Sequence, residues 1–392
     1  MKKARDIYMK QRSFFSMKGY FFLLYFGLGG LFPLLTVYLQ SDVGLSGAQI
    51  GVITSIGPVI MIMVQPLWGM LSDYTRKPKI ILVIASIGAG CSGFTYLFAA
   101  EHFTFVIIAS LVAVFQSAMI PLSDSIAMNY VKRNGGDYGK IRMWGAVGFA
   151  VAVWIMGNLS DLLGLEVIFY GFAIVLLMSS FFAANMPNEP AAPRVDVKEG
   201  MRQLVKVDGF ILFLIITFLV YGPIMANNFY FGVLIQSVGG TLAGVGFAFL
   251  LAAGSEVPFM RWAGAWIQKR GILIILFSAS FVSGARWIFY ATGPDPSWIY
   301  ITTVMQGFSI GLFVPAALQY VTDIAPKDVK ATAVSIYAAV GNGIGAFFFS
   351  MTAGLLIDFH SILAVYLFYG IMTLTGTVLL FILARKQPHI VK

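Results

Sequence analysis

Apolar runs of about twenty residues recur from one end of this chain to the other, and no other feature restricts its fold so severely. A helix rises about 1.5 Å per residue, so a run of that length crosses the roughly 30 Å hydrocarbon core of a bilayer. The runs lie at 18–40, 47–72, 79–99, 103–130, 140–160, 165–186, 209–236, 242–267, 272–292, 298–322, 329–356 and 361–384, twelve in all. Polarity does not alternate within them, which argues against membrane β-strands. With 59% hydrophobic residues, 11% charged residues and a mean hydropathy of +0.85, the chain also lacks the polar surface that a water-soluble architecture needs. The predicted fold class is an all-α membrane protein of twelve transmembrane helices.

The longest polar gap, PNEPAAPRVDVKEGMRQLVKVD at 187–208, falls between the sixth and seventh runs. It predicts an N-terminal six-helix bundle at 18–186, a cytoplasmic linker at 187–208 and a C-terminal six-helix bundle at 209–384, with cytoplasmic tails at 1–17 and 385–392. The basic N-terminus runs straight into the first span without a small-residue cleavage site, so it reads as a retained tail rather than a signal peptide. With that tail in the cytoplasm, 24 of the 26 lysines and arginines fall on the cytoplasmic side, and the remaining two are Arg261 and Arg286 inside spans. The turns on the other side carry Asp42, Glu101, Asp161, Glu166, Asp295 and Asp358 instead. This one-sidedness sets the expected orientation, and it assigns the net charge of +9 to loops facing lipid headgroups rather than to a nucleic-acid surface. Cys91, the single cysteine, excludes a disulfide framework within the chain.

The halves look like copies. WGMLSDYTRKPKIILVIAS at 68–86 resembles WAGAWIQKRGILIILFSAS at 262–280, and IPLSDSIAMNYV at 120–131 resembles VPAALQYVTDIA at 314–325. Two pseudo-symmetric six-helix bundles joined by a cytoplasmic linker are the arrangement of transporters that move one half against the other.

Ionisable groups inside spans are expensive, roughly 2.5 to 3.5 kcal/mol each at the bilayer centre on insertion scales, so each needs a reason. If spans four and five turn at Gly135 and Gly136, Asp124 lies about 16 Å and Arg142 about 9 Å from the turn, a difference an arginine side chain can cover. Gln116, Ser117 and Asp124 share one face of their helix, as a stripe lining a cavity would. Asp124 and Arg142 are therefore either a substrate-binding pair suited to hydroxyl- or carboxylate-bearing solutes or a structural ion pair between helices. In the second half, Glu256 and Arg286 stand at matching heights, as a proton carrier with its arginine or as a structural bridge. Asn227, Asn228, Gln65 and Asn342 either line the cavity or bond between helices. GNGIG at 341–345 reads as close helix packing, and GFSIG at 307–311, inside a span with no strand before it, is not a nucleophile elbow. His102, His360 and His389 lie at span ends or in the tail, so no metal, nucleotide or other cofactor site is expected.

Two stretches resemble a known family. GMLSDYTRKPK, with Gly69, Asp73, Arg76 and Lys77, resembles the signature loop of the major facilitator superfamily, in which the glycine permits close helix approach and the aspartate latches the cytoplasmic side. Pro121-x-x-Asp124, followed after eighteen residues by Arg142 within GKIRMWG, resembles the oligosaccharide/nucleoside:proton symporter group, the lactose-permease-like family, and DYGKIRMWG is closest to its 3-phenylpropionate-transporter-like branch. The resemblance implies that Asp124 and Arg142 touch substrate, that Phe149 and Gln306 occupy cavity positions and that Glu256 and Arg286 take part in proton coupling; Gln116, from its shared helix face, and Asn227 and Asn228, from their place inside a span, are further candidates for the substrate cavity. Phe149 stands where that family has a sugar-stacking tryptophan, which argues against a galactoside. Gln306 and Ser309 replace the family's histidine and glutamate, so a proton cannot travel by that relay.

The expected function is secondary active transport: proton-coupled uptake of a sugar, nucleoside or aromatic acid by a monomer in the bacterial plasma membrane. The alternative is drug or metabolite efflux by proton antiport, but span five, WGAVGFAVAVWIMGNLSD, lacks the Gly-Pro motif expected of such exporters. A membrane enzyme would need a nucleophile, base or metal constellation, and none is legible.

Overall fold

The computed structural model describes residues 2–189 and 197–386, with side chains described for 10–189 and 201–385. Parts of the linker and of the C-terminal tail expected from sequence, 190–196 and 387–392, lie outside the described residues. Among the described residues fourteen α-helices follow in order: α1 (Lys2–Ser41), α2 (Gly47–Thr75), α3 (Pro78–Phe94), α4 (His102–Asn134), α5 (Tyr138–Leu163), α6 (Val167–Ala184), the short α7 (Val197–Leu204), α8 (Phe210–Ser237), α9 (Leu242–Arg270), α10 (Ile272–Ala291), α11 (Pro296–Ile324), α12 (Lys330–Ala338), α13 (Ala346–Phe359) and α14 (Ile362–Lys386). Twelve spans among these residues are long and apolar enough to cross a membrane, the eleventh being built from α12 and α13 together. The first helix differs from the sequence reading. It begins at Lys2, so residues expected as a tail continue the helix, because their polarity gives no hydropathy signal but imposes no helix break either.

Chain punctuation follows local chemistry. Gly135 and Gly136 take φ of +72° and +129° to turn α4 into α5, a conformation that favours glycine. Asp137 then caps α5 by accepting from the Gly139 N–H at 2.8 Å. Thr241 caps α9 through the Gly244 N–H at 3.0 Å. Asp295 caps α11, and the Ser297 N–H holds its carboxyl below the usual carboxylate range. Arg76 adopts φ +53° and ends α2, the only non-glycine with positive φ among the described residues. Between α12 and α13, Ala339–Gly345 widens into a π turn.

The chain forms two compact units, residues 1–45 with 56–193 and residues 46–55 with 194–392. In the first, α1 lies along α5 and α6, and α3 along α4 and α6. In the second, α8 packs on the π turn, α13 and α14, and α10 on α11 and α14. The internal repeat is thus expressed in packing, since each of these pairs in one unit has its counterpart in the other. One pair breaks the pattern. α11 packs closely on α9, where Gly307 and Gly311 leave no room for a Cβ beside Ser255, Glu256 and Phe259. The offset between the copies, 262 − 68 = 194, puts Ala113 and Ser117 at those positions of α4. In the second unit Asp358 of α13 also caps the first turn of α2, accepting from Gly47 N at 2.5 Å and Ala48 N at 2.8 Å.

The seam that positions the site is α1 against α5. A Cβ at Gly148 would overlap the backbone carbonyl of Phe22, and one at Gly29 would lie 2.6 Å from the carbonyl oxygen of Phe149. Backbone cannot swing aside as a side-chain tip can. Gly148→Val is therefore expected to destabilise the protein by roughly 1 to 3 kcal/mol. A lowered unfolding midpoint in detergent, with less protein recovered from membranes, is the measurement that checks it.

Candidate functional site

In the first unit, three helices bring their polar side chains together. α4 supplies Asp124, α5 supplies Tyr138 and Arg142 one turn apart, and α1 supplies Phe21 and Tyr25, also one turn apart. Tyr138 Oη donates to Asp124 Oδ1 at 2.7 Å, and Arg142 Nε stands 3.6 Å from the same oxygen. That second separation is too long for a good hydrogen bond, so the carboxylate and guanidinium interact as charges while keeping donors and acceptors free for a third party. Arg142 Nη2 donates to Tyr25 Oη, and the guanidinium lies over the rings of Tyr25 at 4.2 Å and Phe21 at 5.6 Å. The absence of a Cβ at Gly145 makes this possible, since one there would lie 2.7 Å from the Tyr25 ring and 2.9 Å from Arg142 Nη1. The side chains of Arg142 and Asp124 keep 34% and 24% of their surface exposed, so neighbouring helices do not fully enclose the pair. Gln116 and Ser117, further along α4, are buried. Phe149 is half-buried, its main chain against Gly29.

Sequence reasoning did not single out Tyr138 or Tyr25. Tyr138 had a usable signal, since it precedes Arg142 by four residues and so shares its helix face. Tyr25 had none.

In the second unit, Arg286 of α10 is 3% exposed. Its Nη1 donates to Gln306 Oε1 of α11 at 2.9 Å, and it lies over Trp287 at 4.2 Å and Tyr290 at 5.4 Å. Arg286 Nε, Trp287 Nε1 and the hydroxyls of Ser283 and Ser309 are buried without a hydrogen-bond partner among the described residues. Glu256 is half-buried on α9, and no ion pair joins it to Arg286 among the described residues. Matching heights therefore do not amount to a bridge here, and Arg286 is neutralised by no carboxylate but bonded by an amide. Asn227 is buried and accepts from Tyr366 Oη at 2.7 Å, tying α8 to α14, while its neighbour Asn228 is half-buried.

In the signature loop, Asp73 is half-buried, Arg76 and Lys77 are exposed, and Asn188 Nδ2 reaches the Arg76 carbonyl at 3.5 Å. At Gly69 a Cβ would meet nothing within 4 Å apart from its chain neighbours and the local backbone of its own helix. The glycine residues that do mediate tight packing are elsewhere, and GNGIG is among them, with Gly345 against Gly222 and Gly341 against Tyr221.

Twelve membrane-length helices, packed as a repeated six-span unit with charged side chains held inside the spans, define a multi-pass membrane protein that carries small molecules, a transporter and not an enzyme. The MFS_1 like family model matches residues 14–368, and the chain belongs to that family. It is 47% identical over 369 residues to the maltose permease of Geobacillus stearothermophilus, covering 94% of each chain. It is 24% identical over 355 residues to the probable 3-phenylpropionic acid transporter of Escherichia coli (strain K12), covering 86% of this chain and 90% of that one. The solved structure of the nucleoside transporter NupG superposes with a TM-score of 0.84 at 16% identity, covering 94% of this chain and 98% of that one, and shares the fold.

Proposed function

We propose that this transporter imports a disaccharide of the maltose type together with protons, binding the sugar at Asp124, Tyr138, Arg142 and Tyr25. The observation that carries this reading is the partly exposed cluster itself. A carboxylate and a guanidinium held 3.6 Å apart offer acceptors and donors to neighbouring sugar hydroxyls, and the Tyr25 and Phe21 rings offer an apolar face against which a pyranose can lie. The 47% identity to a maltose permease favours a glucoside over an aromatic acid, whose transporter stands at 24%. In the first unit Gln116 and Phe149 are proposed to contact the sugar as well; in the second, Asn228 and Gln306 are proposed as sugar contacts, with Asn227 contributing through its hold on Tyr366. Asp73, Arg76 and Lys77, beside Gly69, are proposed to act as the gating loop. The protein works as a monomer with both termini in the cytoplasm, the orientation that the lysine and arginine distribution supports.

Uptake of labelled maltose, a nucleoside and 3-phenylpropionate into proteoliposomes under an imposed pH gradient tests the substrate. Maltose accumulation above the other two supports the reading, and selective accumulation of either competitor rejects it.

Glu256 is the proposed proton carrier, because it is flanked by Val257, Pro258 and Phe259 and engaged by no arginine among the described residues. Glu256→Gln is then expected to exchange sugar across the membrane at near wild-type rate while losing accumulation against a gradient. Counterflow compared with pH-driven uptake in the same vesicles separates the two, and a mutant that still concentrates sugar removes Glu256 from the coupling.

A further inference from the structure

Apart from the cluster above, the first unit contains a cavity of about 410 Å³ at the basic end of its spans, lined by Phe14, Lys18, Gly136, Asp137, Lys140 and Ile141. We propose that this cavity binds the phosphate of an anionic phospholipid headgroup in the cytoplasmic leaflet.

Its volume falls within the roughly 300–1,000 Å³ of ligand pockets. Two lysines from different helices converge on it, Lys18 of α1 and Lys140 in the first turn of α5, and neither has a hydrogen bond or ion pair among the described residues. Neighbouring cations are committed elsewhere. Lys10 Nζ donates to the Asn134 carbonyl at 2.5 Å, Arg12 Nη2 to Asn185 Oδ1 at 2.5 Å, and Arg133 pairs with Glu189 at 2.9 Å. The start of α5 adds the positive end of a helix dipole to the same space. Asp137, the single acid lining the cavity, is engaged as the cap of that helix through the Gly139 N–H.

The pocket is shaped in advance. The Phe14 ring stands edge-on to Tyr130 at 5.5 Å, and Gly136 fits against Phe14 because it has no Cβ, which would fall 2.8 Å from the ring. A free anion would need only the charges, whereas a lipid also needs a path for its chains. That path is present: Phe15, adjacent to Phe14, is 67% exposed and packs on Phe182 of α6, and Phe181 beside it is 68% exposed. A headgroup phosphate between Lys18 and Lys140 would leave its acyl chains along this aromatic face.

The full-length protein, solubilised in mild detergent, is offered phosphatidylglycerol or phosphatidylcholine of identical chains, and retained lipid is read by native mass spectrometry. Wild type is expected to retain phosphatidylglycerol preferentially. Lys140→Gln should weaken that retention roughly fivefold and the Lys18→Gln/Lys140→Gln pair about 25-fold, whereas Lys206→Gln, an equal charge loss in the other unit, should leave it unchanged. Millimolar inorganic phosphate should not displace the lipid. Equal retention of the two lipids, survival of the preference in the double variant, loss of it in Lys206→Gln, or stripping by inorganic phosphate would each overturn the assignment, the last by showing a free-anion site.

Discussion

Arg142→Lys is expected to abolish concentrative uptake while the protein still folds and reaches the membrane. Lysine keeps the positive charge but replaces a planar fork with a single point, so it cannot both face Asp124 Oδ1 and donate to Tyr25 Oη while stacking over that ring. Losing a charged hydrogen bond of the fork costs about 1.5 to 3 kcal/mol, which is roughly a tenfold to hundredfold loss of apparent affinity. Asp124→Asn should be as damaging, because the amide cannot balance the guanidinium. Tyr138→Phe removes the 2.7 Å hydrogen bond to the carboxylate but leaves both charges in place, and should cost about 1.5 kcal/mol, or roughly tenfold. This order separates a binding role from a structural one. If Asp124 and Arg142 merely joined α4 to α5, the three variants would lower the unfolding midpoint and leave uptake per folded molecule unchanged. Initial rates across a range of sugar concentrations, normalised to folded protein, decide between them.

The second large effect lies at Arg286. Its charge is buried against an amide and two rings, so Arg286→Met, which matches the volume and removes the buried charge, is expected to change stability by no more than about 1 kcal/mol, the gain from losing an unbalanced charge offsetting the Gln306 amide left without its donor. Transport should nevertheless fall by roughly 30-fold or more, since a buried cation with an unpartnered Nε is retained in an apolar span for what it binds or balances during the cycle. Gln306→Ala should behave in the opposite way. It leaves the guanidinium in place with one fewer acceptor, costing about 1.5 to 3 kcal/mol of stability. Paired measurement of unfolding midpoint and uptake for both variants is the check, and a Met variant that transports normally would assign Arg286 to the fold alone.

Much of this architecture was legible in the sequence because lipid leaves so few solutions. A span must be continuous, apolar and about twenty residues long, so the twelve runs marked the helices directly, and the glycine pair at 135–136 marked the turn between α4 and α5. Height along a helix was legible for the same reason, and it foretold that Asp124 and Arg142 stand within reach. Azimuth was not. Glu256 and Arg286 agree in height yet do not pair, because Arg286 points to Gln306 on α11. Tyr25 escaped notice because the chain is 15% aromatic and nothing local marks it, whereas Tyr138, four residues before Arg142, had its signal in the helix face they share.

The π turn at Ala339–Gly345 holds one residue more than α-helical geometry would admit in the same rise. Were the same residues wound as plain α-helix, every side chain of α13 would be turned by about 100°, one residue's worth of twist. That would carry Phe349 off Gly222 and Asp358 off the start of α2. The surplus residue thus sets which face the second part of the eleventh span presents to its neighbours.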